Sequence, residues 1–207
     1  MPKVAYSPQQ RQLIREALVR EGLALMVKQG IQHTTIEQVC RTVGISRTFF
    51  YSFFPSKEDL AVEALYLQQP RILAYAQSLM EDPALSWRQA VQQFLLTCCY
   101  GERNGISVLS IEEQQMIFRR LTPESYQLFR QRQVCLFAGL LKCFGIAPDS
   151  QKISLFTNLC LAMIIVRRGI PDALPFFVPE AADEAVKVQA RAITDCLETM
   201  KKQAPAR

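Results

Sequence analysis

An all-α fold is predicted for this chain of 207 residues by three features of its sequence. Apolar residues recur at the three- and four-residue steps that line one face of a helix. Glycine is scarce, with 8 residues, so little of the chain favours tight turns. Ser and Thr caps, prolines and single glycines cut the periodic stretches into about nine pieces of helix length. They divide into an N-terminal three-helix module over residues 1–60 and a larger helical body over residues 61–207.

The first helix is predicted from Ser7 or Pro8 to Gln29, with Ile14, Leu18, Gly22, Leu25 and Met26 on one stripe and Gly30 ending it. Gly22 lets another helix approach closely. Thr34 or Thr35 caps a second helix, whose Ile36, Val39, Cys40 and Val43 share a face. Gly44 supplies a positive φ to close it, Ile45 packs inward, and Ser46 caps a short third helix from Arg47 to about Ser52. Pro55 stops that helix. Ser56, Lys57, Glu58 and Asp59 form the capped first turn of a fourth, since acids suit the positive end of the helix dipole. It continues through Leu65 and Leu73 towards Met80, broken or kinked near Pro70.

After Pro83 the spacing predicts a fifth helix from Ser86 to about Arg103, the Asn104-Gly105 turn, and a sixth from about Val108 to Arg120. Thr122, followed by proline at the first helical position, starts a seventh that runs to about Phe144. Gly145 and Pro148 separate it from an eighth, Asp149 to Arg168. A loop with three prolines, Gly169 to Pro179, leads to a ninth, Glu180 to Lys201.

Helix, short glycine turn and second helix over residues 34–60 form the helix-turn-helix order, in which the second helix enters the major groove of DNA. Charge points the same way. Residues 1–57 carry eight basic and three acidic side chains, whereas the remainder has 16 of each, so the whole net charge of +5 sits on the segment with the motif. A basic module on a neutral body is the footprint of one end that meets phosphates.

Gly30, Thr34, Thr35, Ile36, Val39, Gly44, Ile45, Ser46, Phe50, Tyr51, Phe54, Lys57 and Leu60 match, in spacing and mostly in type, the N-terminal signature of TetR-family transcriptional regulators, which this chain resembles over its first quarter. Each element is common alone, but their joint spacing is specific. Beyond Leu60 the resemblance is architectural. It implies that Tyr51, Lys57 and Thr35 contact DNA phosphates, with Thr34 beside them, and such contacts fix register without reading sequence. Arg47, Thr48, Phe49 and Ser52 then occupy the exposed positions of the recognition helix. Arg47 is the sharpest of these, because a guanidinium can pair with guanine O6 and N7 together, worth roughly 1–3 kcal/mol of discrimination. Thymine methyls suit Phe49. Two positions depart from the family pattern: Thr48 stands where many relatives have glycine, and Phe53, which cannot donate a hydrogen bond, stands where histidine or tyrosine is frequent. Phe50 and Phe54 pack the module's core. Phe53 either does the same or lies on the DNA face.

The resemblance also implies a homodimer paired through the last two helices and a palindromic double-stranded operator. Leu155, Leu159, Ala162, Met163 and Val166 form one apolar stripe, and Val186, Ala190, Ile193, Leu197 and Met200 another; both are equally compatible with intramolecular core. A small-molecule effector, unidentified from sequence, is expected between the middle helices, where Trp87, Phe94, Cys98, Phe118, Tyr126, Phe129 and Phe137 are the large or polarizable groups. Arg103, Glu112 and Arg119 either orient a polar ligand group or are solvated. The implied function is a sequence-specific regulator, a repressor released from its operator by the effector. The alternative is a helical interaction adaptor whose basic module binds an acidic protein.

Other classes find little footing. One histidine, no metal-ligand spacing and no phosphate-binding glycine loop give an enzyme no starting constellation, and no cofactor is expected. The polar N-terminus lacks the apolar stretch of a signal peptide, and the longest apolar run, Leu159 to Val166, is well short of the ~20 residues needed to span a bilayer, so a cytoplasmic protein without a membrane partner is expected. Seven scattered cysteines without a C-x-x-C pair suit buried free thiols. Adjacent Cys98 and Cys99 point about 100° apart on a helix, which favours packing over a redox pair.

Overall fold

The computed structural model describes residues 6–107, 109, 111–169, 178 and 181–203. Among them are nine α-helices: α1 Pro8–His33, α2 Ile36–Val43, α3 Arg47–Phe50, α4 Lys57–Glu81, α5 Trp87–Cys99, α6 Ile111–Phe118, α7 Pro123–Cys143, α8 Ser150–Gly169 and α9 Ala182–Lys202. A short 3-10 turn, Gly101–Arg103, follows α5. Six helices begin as their cap residues dictate. Ser7, Thr35, Ser46, Ser56, Ser86 and Thr122 each accept a bond from the amide three residues on, and at Ser7, Thr35 and Ser86 a glutamine side chain returns the bond to the cap's own backbone.

Gly30 has φ 77 and ψ 164, a conformation essentially reserved for glycine, and it bends α1 so that a single helical turn, residues 31–33, follows. Helix α2 closes on Gly44 at φ 78 and ψ 31. Both glycines act where the sequence placed a helix end.

Helix α4 departs from expectation: it passes Pro70 without interruption, from Lys57 to Glu81. Proline at this position deprives the Tyr66 carbonyl of its helical partner, at a cost of ~3 kcal/mol in an isolated helix. Here α4 is held from both sides, packing on α1, α5, α6 and α7, with buried side chains from Leu60 to Leu79. Helix α5 ends at Cys99, before the expected Arg103, because the chain tightens into the 3-10 turn. Of the expected start of the sixth helix, Val108 lies outside the described residues, and so does most of the proline loop between α8 and α9.

Two apolar clusters carry the packing. One joins α1, α2, α3 and the first half of α4 around Leu18, Ile31, Val39, Phe50, Phe54 and Leu60, and takes in Ile117 from α6. The other joins the second half of α4 to α5, α7, α8 and α9 around Phe94, Leu141, Phe144, Phe156 and Leu197. Gly22 earns its place at the α1–α4 crossing, where an added Cβ would lie 3.1 Å from Leu60 Cδ2.

The stripe Val186, Ala190, Ile193, Leu197 and Met200 belongs entirely to the second cluster, so this face of α9 serves the chain's own core. Met163 is buried with it. The large apolar residues left exposed on the last two helices are Leu155, Leu161 and Ile165 of α8 and Val188 of α9. Among the described residues no helix is long and apolar enough to cross a membrane, and no group of three His, Cys, Asp or Glu could hold a metal ion.

Candidate nucleic-acid interface

Helix α3 is a single turn, set on the buried Phe50 and Phe54 and capped by Ser46. This anchoring turns Arg47, Thr48, Tyr51 and Ser52 outwards, all exposed. Arg47 Nη1 lies 2.7 Å from Glu37 Oε1 of α2, while the Tyr51 hydroxyl and then Glu37 push the guanidinium pKa still higher. An exposed ion pair of this kind stabilises little and is readily exchanged for a stronger anion. Thr35, also exposed, spends its hydroxyl on the α2 cap.

Three predicted positions have duties within the fold. Thr34 is fully buried, and its hydroxyl donates to the Gly30 carbonyl at 2.8 Å, so it braces the bend of α1 and does not reach the surface. Lys57 Nζ donates to the Ile31 carbonyl at 2.8 Å and lies 3.5 Å from that of Gln32, which ties the start of α4 to the last turn of α1. Phe49 is half-buried beneath the Tyr6 ring, stacked at 4.8 Å, and meets Phe53 edge-on at 5.0 Å.

Sequence reasoning missed the side chain that organises this corner. Arg11 of α1 places its guanidinium 4.7 Å from the Phe53 ring centre and 5.6 Å from that of Phe49, and donates to the Ser52 carbonyl at 3.1 Å. Phe53 thus stacks under a cation, neither buried core nor free surface, and a cation-π contact of this exposed kind is worth about 0.5–1 kcal/mol. The separation of 41 residues between Arg11 and Ser52 left no local signal.

Residues 18–64 match the family model described as bacterial regulatory proteins, tetR family. Over these residues the chain is similar to the DNA-binding module of TetR-family regulators. Its similarity to the HTH-type transcriptional regulator TcmR of Streptomyces glaucescens is 41% identity over 94 residues, covering 44% of this chain and 42% of that protein, so the matched part is less than half of the relative's length. Among solved structures, it is similar to reduced NemR of E. coli, with TM-score 0.53 and 13% identity over 90% of this chain and 96% of that one. It is also similar to a TetR-family regulator from Cytophaga hutchinsonii, with TM-score 0.53 and 9% identity over 98% and 99% of the two chains. At these identities the structures share the fold.

In the helical body a cavity of about 280 Å³ lies between α4, α5, α6, α7 and α8. Phe94, Cys98, Phe118, Phe129 and Phe137, five of the seven positions expected from sequence, line it. Trp87 and Tyr126 do not. The Trp87 indole donates to the Phe144 carbonyl at 2.9 Å with the Lys201 ammonium 4.8 Å from its ring, and Tyr126 is exposed, edge-on to Phe118. Arg103, Glu112 and Arg119 are not among the lining residues; Arg103 packs on Tyr100. Cys98, Cys99 and Cys160 are all in the wall. Burial pushes the Cys98 thiol up to about 12 and Cys160 well above its ordinary range, so both are neutral, inert surface.

No sequence pattern singles out the glutamines of the wall. Gln68 clamps Ser107 in both directions, its Nε2 donating to the carbonyl and its Oε1 accepting from the amide, each at 2.9 Å. Gln69, Gln114 and Gln133 share the wall.

Helix α6 touches both regions. Gln114 and Phe118 line the cavity. From the same two turns Glu113 accepts the Ile31 amide at 2.6 Å, Ile117 is fully buried in the N-terminal cluster, and Arg120, just beyond, reaches Glu58 Oε1 at 3.2 Å.

Proposed function

We propose that the chain is a sequence-specific DNA-binding transcriptional regulator of the cytoplasm, a repressor that a small molecule releases from its operator. The observation that carries this is the exposed α3, with Arg47 and Tyr51 on its outer side, inside the segment that matches the family. Tyr51 and Thr35 hold phosphates; Arg47, freed from Glu37, reads a base edge. Lys57 leaves its carbonyl partners for a phosphate when DNA binds.

The effector occupies the cavity of the body, and α6 carries the signal. A ligand that displaces Gln114 or Phe118 moves Glu113 and Ile117 with them, because they belong to one helix, and pulls on Arg120 just beyond its end. Their partners Ile31 and Glu58 flank the point where α1 meets α4, on which the setting of α3 depends. The ligand weakens DNA binding only by the difference in its affinity for the two settings. Pro70, beside Gln68 and Gln69, lacks one helical hydrogen bond and is a soft point along α4.

Two copies pair through α8 and α9, using the exposed Leu155, Leu161, Ile165 and Val188, and so present two α3 helices to a palindromic site. Selection of bound DNA from a random pool at moderate salt tests the reading. Enrichment of a palindrome, lost on adding an extract of small molecules, is the expected result; a pool that stays random would overturn it.

A further inference from the structure

We infer that the cavity of the body takes a neutral, largely apolar ligand that carries a carbonyl or ether oxygen, and that Gln69 donates to that oxygen. This deepens the effector reading above and rests on it.

Among the described residues the wall of the chamber contains no Asp, Glu, Lys, Arg or His. An ion entering it would lose its hydration without meeting a counter-charge, a cost no apolar contact offsets. Phe94, Phe118, Phe129 and Phe137 come from three different helices and supply ring faces for a flat molecule. At about 280 Å³ the space sits near the lower end of the range of roughly 300–1,000 Å³ typical of small-molecule sites, which suits about three fused rings.

The polar groups of the wall are unequal. Gln68 is fully engaged with Ser107, and Thr157 returns its hydroxyl to the Ile153 carbonyl at 2.7 Å. Gln69 differs: its Nε2 is buried and has no partner. An amide left so is costly, and a ligand oxygen is the acceptor it lacks. The terminal torsion of glutamine is soft, so a small rotation presents the amide to the chamber.

The test uses four ring systems of one size with the full-length protein and calorimetry: 9-fluorenone, fluorene, fluorene-9-carboxylate and protonated 9-aminoacridine. Fluorenone should bind roughly tenfold tighter than fluorene, which lacks the acceptor, and both charged rings at least tenfold weaker than fluorenone. Gln69→Leu, of similar size, should bring fluorenone down to the affinity of fluorene while fluorene itself binds the variant unchanged; loss of fluorene binding too would mark a damaged chamber, and Gln69→Met, as long as glutamine but without a donor, should then bind fluorenone and fluorene alike. Equal binding of charged and neutral rings, a fluorenone preference that survives both substitutions, or binding of none of the four would overturn the inference. Calorimetry reads binding without DNA. A protein that selects an operator yet fails these ring tests loses only the ligand class, whereas one that takes fluorenone but ignores DNA loses only the regulator reading.

Discussion

The Glu113 carboxylate of α6 accepts the backbone amide of Ile31 at 2.6 Å across 82 residues of sequence, and this bond joins the last turn of α1 to the wall of the body cavity. Both residues are buried, Ile31 at 1% and Glu113 at 6% exposure, so water cannot replace either partner.

Glu113→Ala should therefore leave the Ile31 amide unpaired and lower stability by about 1–3 kcal/mol. Urea unfolding with an unchanged m-value checks the magnitude. Glu113→Gln keeps an acceptor and should recover most of the loss. If α6 carries the signal, the alanine variant should also respond less to a ligand in its DNA affinity; an unchanged response would remove this bond from the relay.

Gly30 makes the same junction possible. Its φ of 77 is strained for any residue with a Cβ, and an added Cβ would approach Glu113 Oε1 to 3.2 Å. Gly30→Ala should cost about 1–3 kcal/mol, again read from the urea midpoint. A smaller loss would mean that α1 can end without this bend.

Arg11 should matter to DNA binding without touching a base. Arg11→Met keeps much of the stem but loses the charge over Phe53 and Phe49 and the bond to the Ser52 carbonyl. We expect operator affinity to fall several-fold while the free energy of unfolding changes by less than about 1 kcal/mol, the size of an exposed cation-π contact. A uniform loss on all sequences is expected, because Arg11 positions α3 and does not read it.

Arg47 and Tyr51 should separate by the kind of loss. Arg47→Ala should relax preference at one or two base pairs, worth about 1–3 kcal/mol, whereas Tyr51→Phe should weaken every sequence alike. Lys57→Ala should weaken all sequences, lower the salt slope by about one ion, and also cost stability, since Lys57 bonds the Ile31 carbonyl in the free protein. An Arg47 variant with equal loss on all sequences would show that it does not read bases.

The helix-turn-helix segment was legible because its information is local: caps, turn glycines and three- or four-residue spacing lie within one helix turn of the groups they satisfy, as Ser46 and Gly44 illustrate. What escaped depends on distant partners. Arg11 finds Phe53, Gln68 finds Ser107 and Glu113 finds Ile31 across 39 to 82 residues, and no periodicity marks those pairings. The apolar stripe of α9 was legible as a stripe but ambiguous in its partner, since a core face and a dimer face have the same pattern. Large aromatic groups mark the cavity in the sequence, and five of the seven expected positions line it, but its amides carry no pattern at all.

The thiols give a last prediction, with a definite sign. Burial raises Cys98 from an ordinary value near 9 to about 12, and Cys160 moves the same way. At pH 7.5 the thiolate of Cys98 is then about a thousandfold scarcer in the folded protein than in the unfolded chain. Iodoacetamide followed by peptide mapping should label exposed Cys135 first and Cys98 and Cys160 only after urea is added. Raising the pH to 9 should leave Cys98 and Cys160 protected. Because the folded value lies above the unfolded one, this protection contributes fully to stability below pH 9, and the contribution is lost as pH rises from about 9 towards 12, where the unfolded chain ionises first. Rapid labelling of Cys98 in the folded protein at pH 7.5 would mean instead that the chamber opens to water, and with it would go the exclusion of charged ligands.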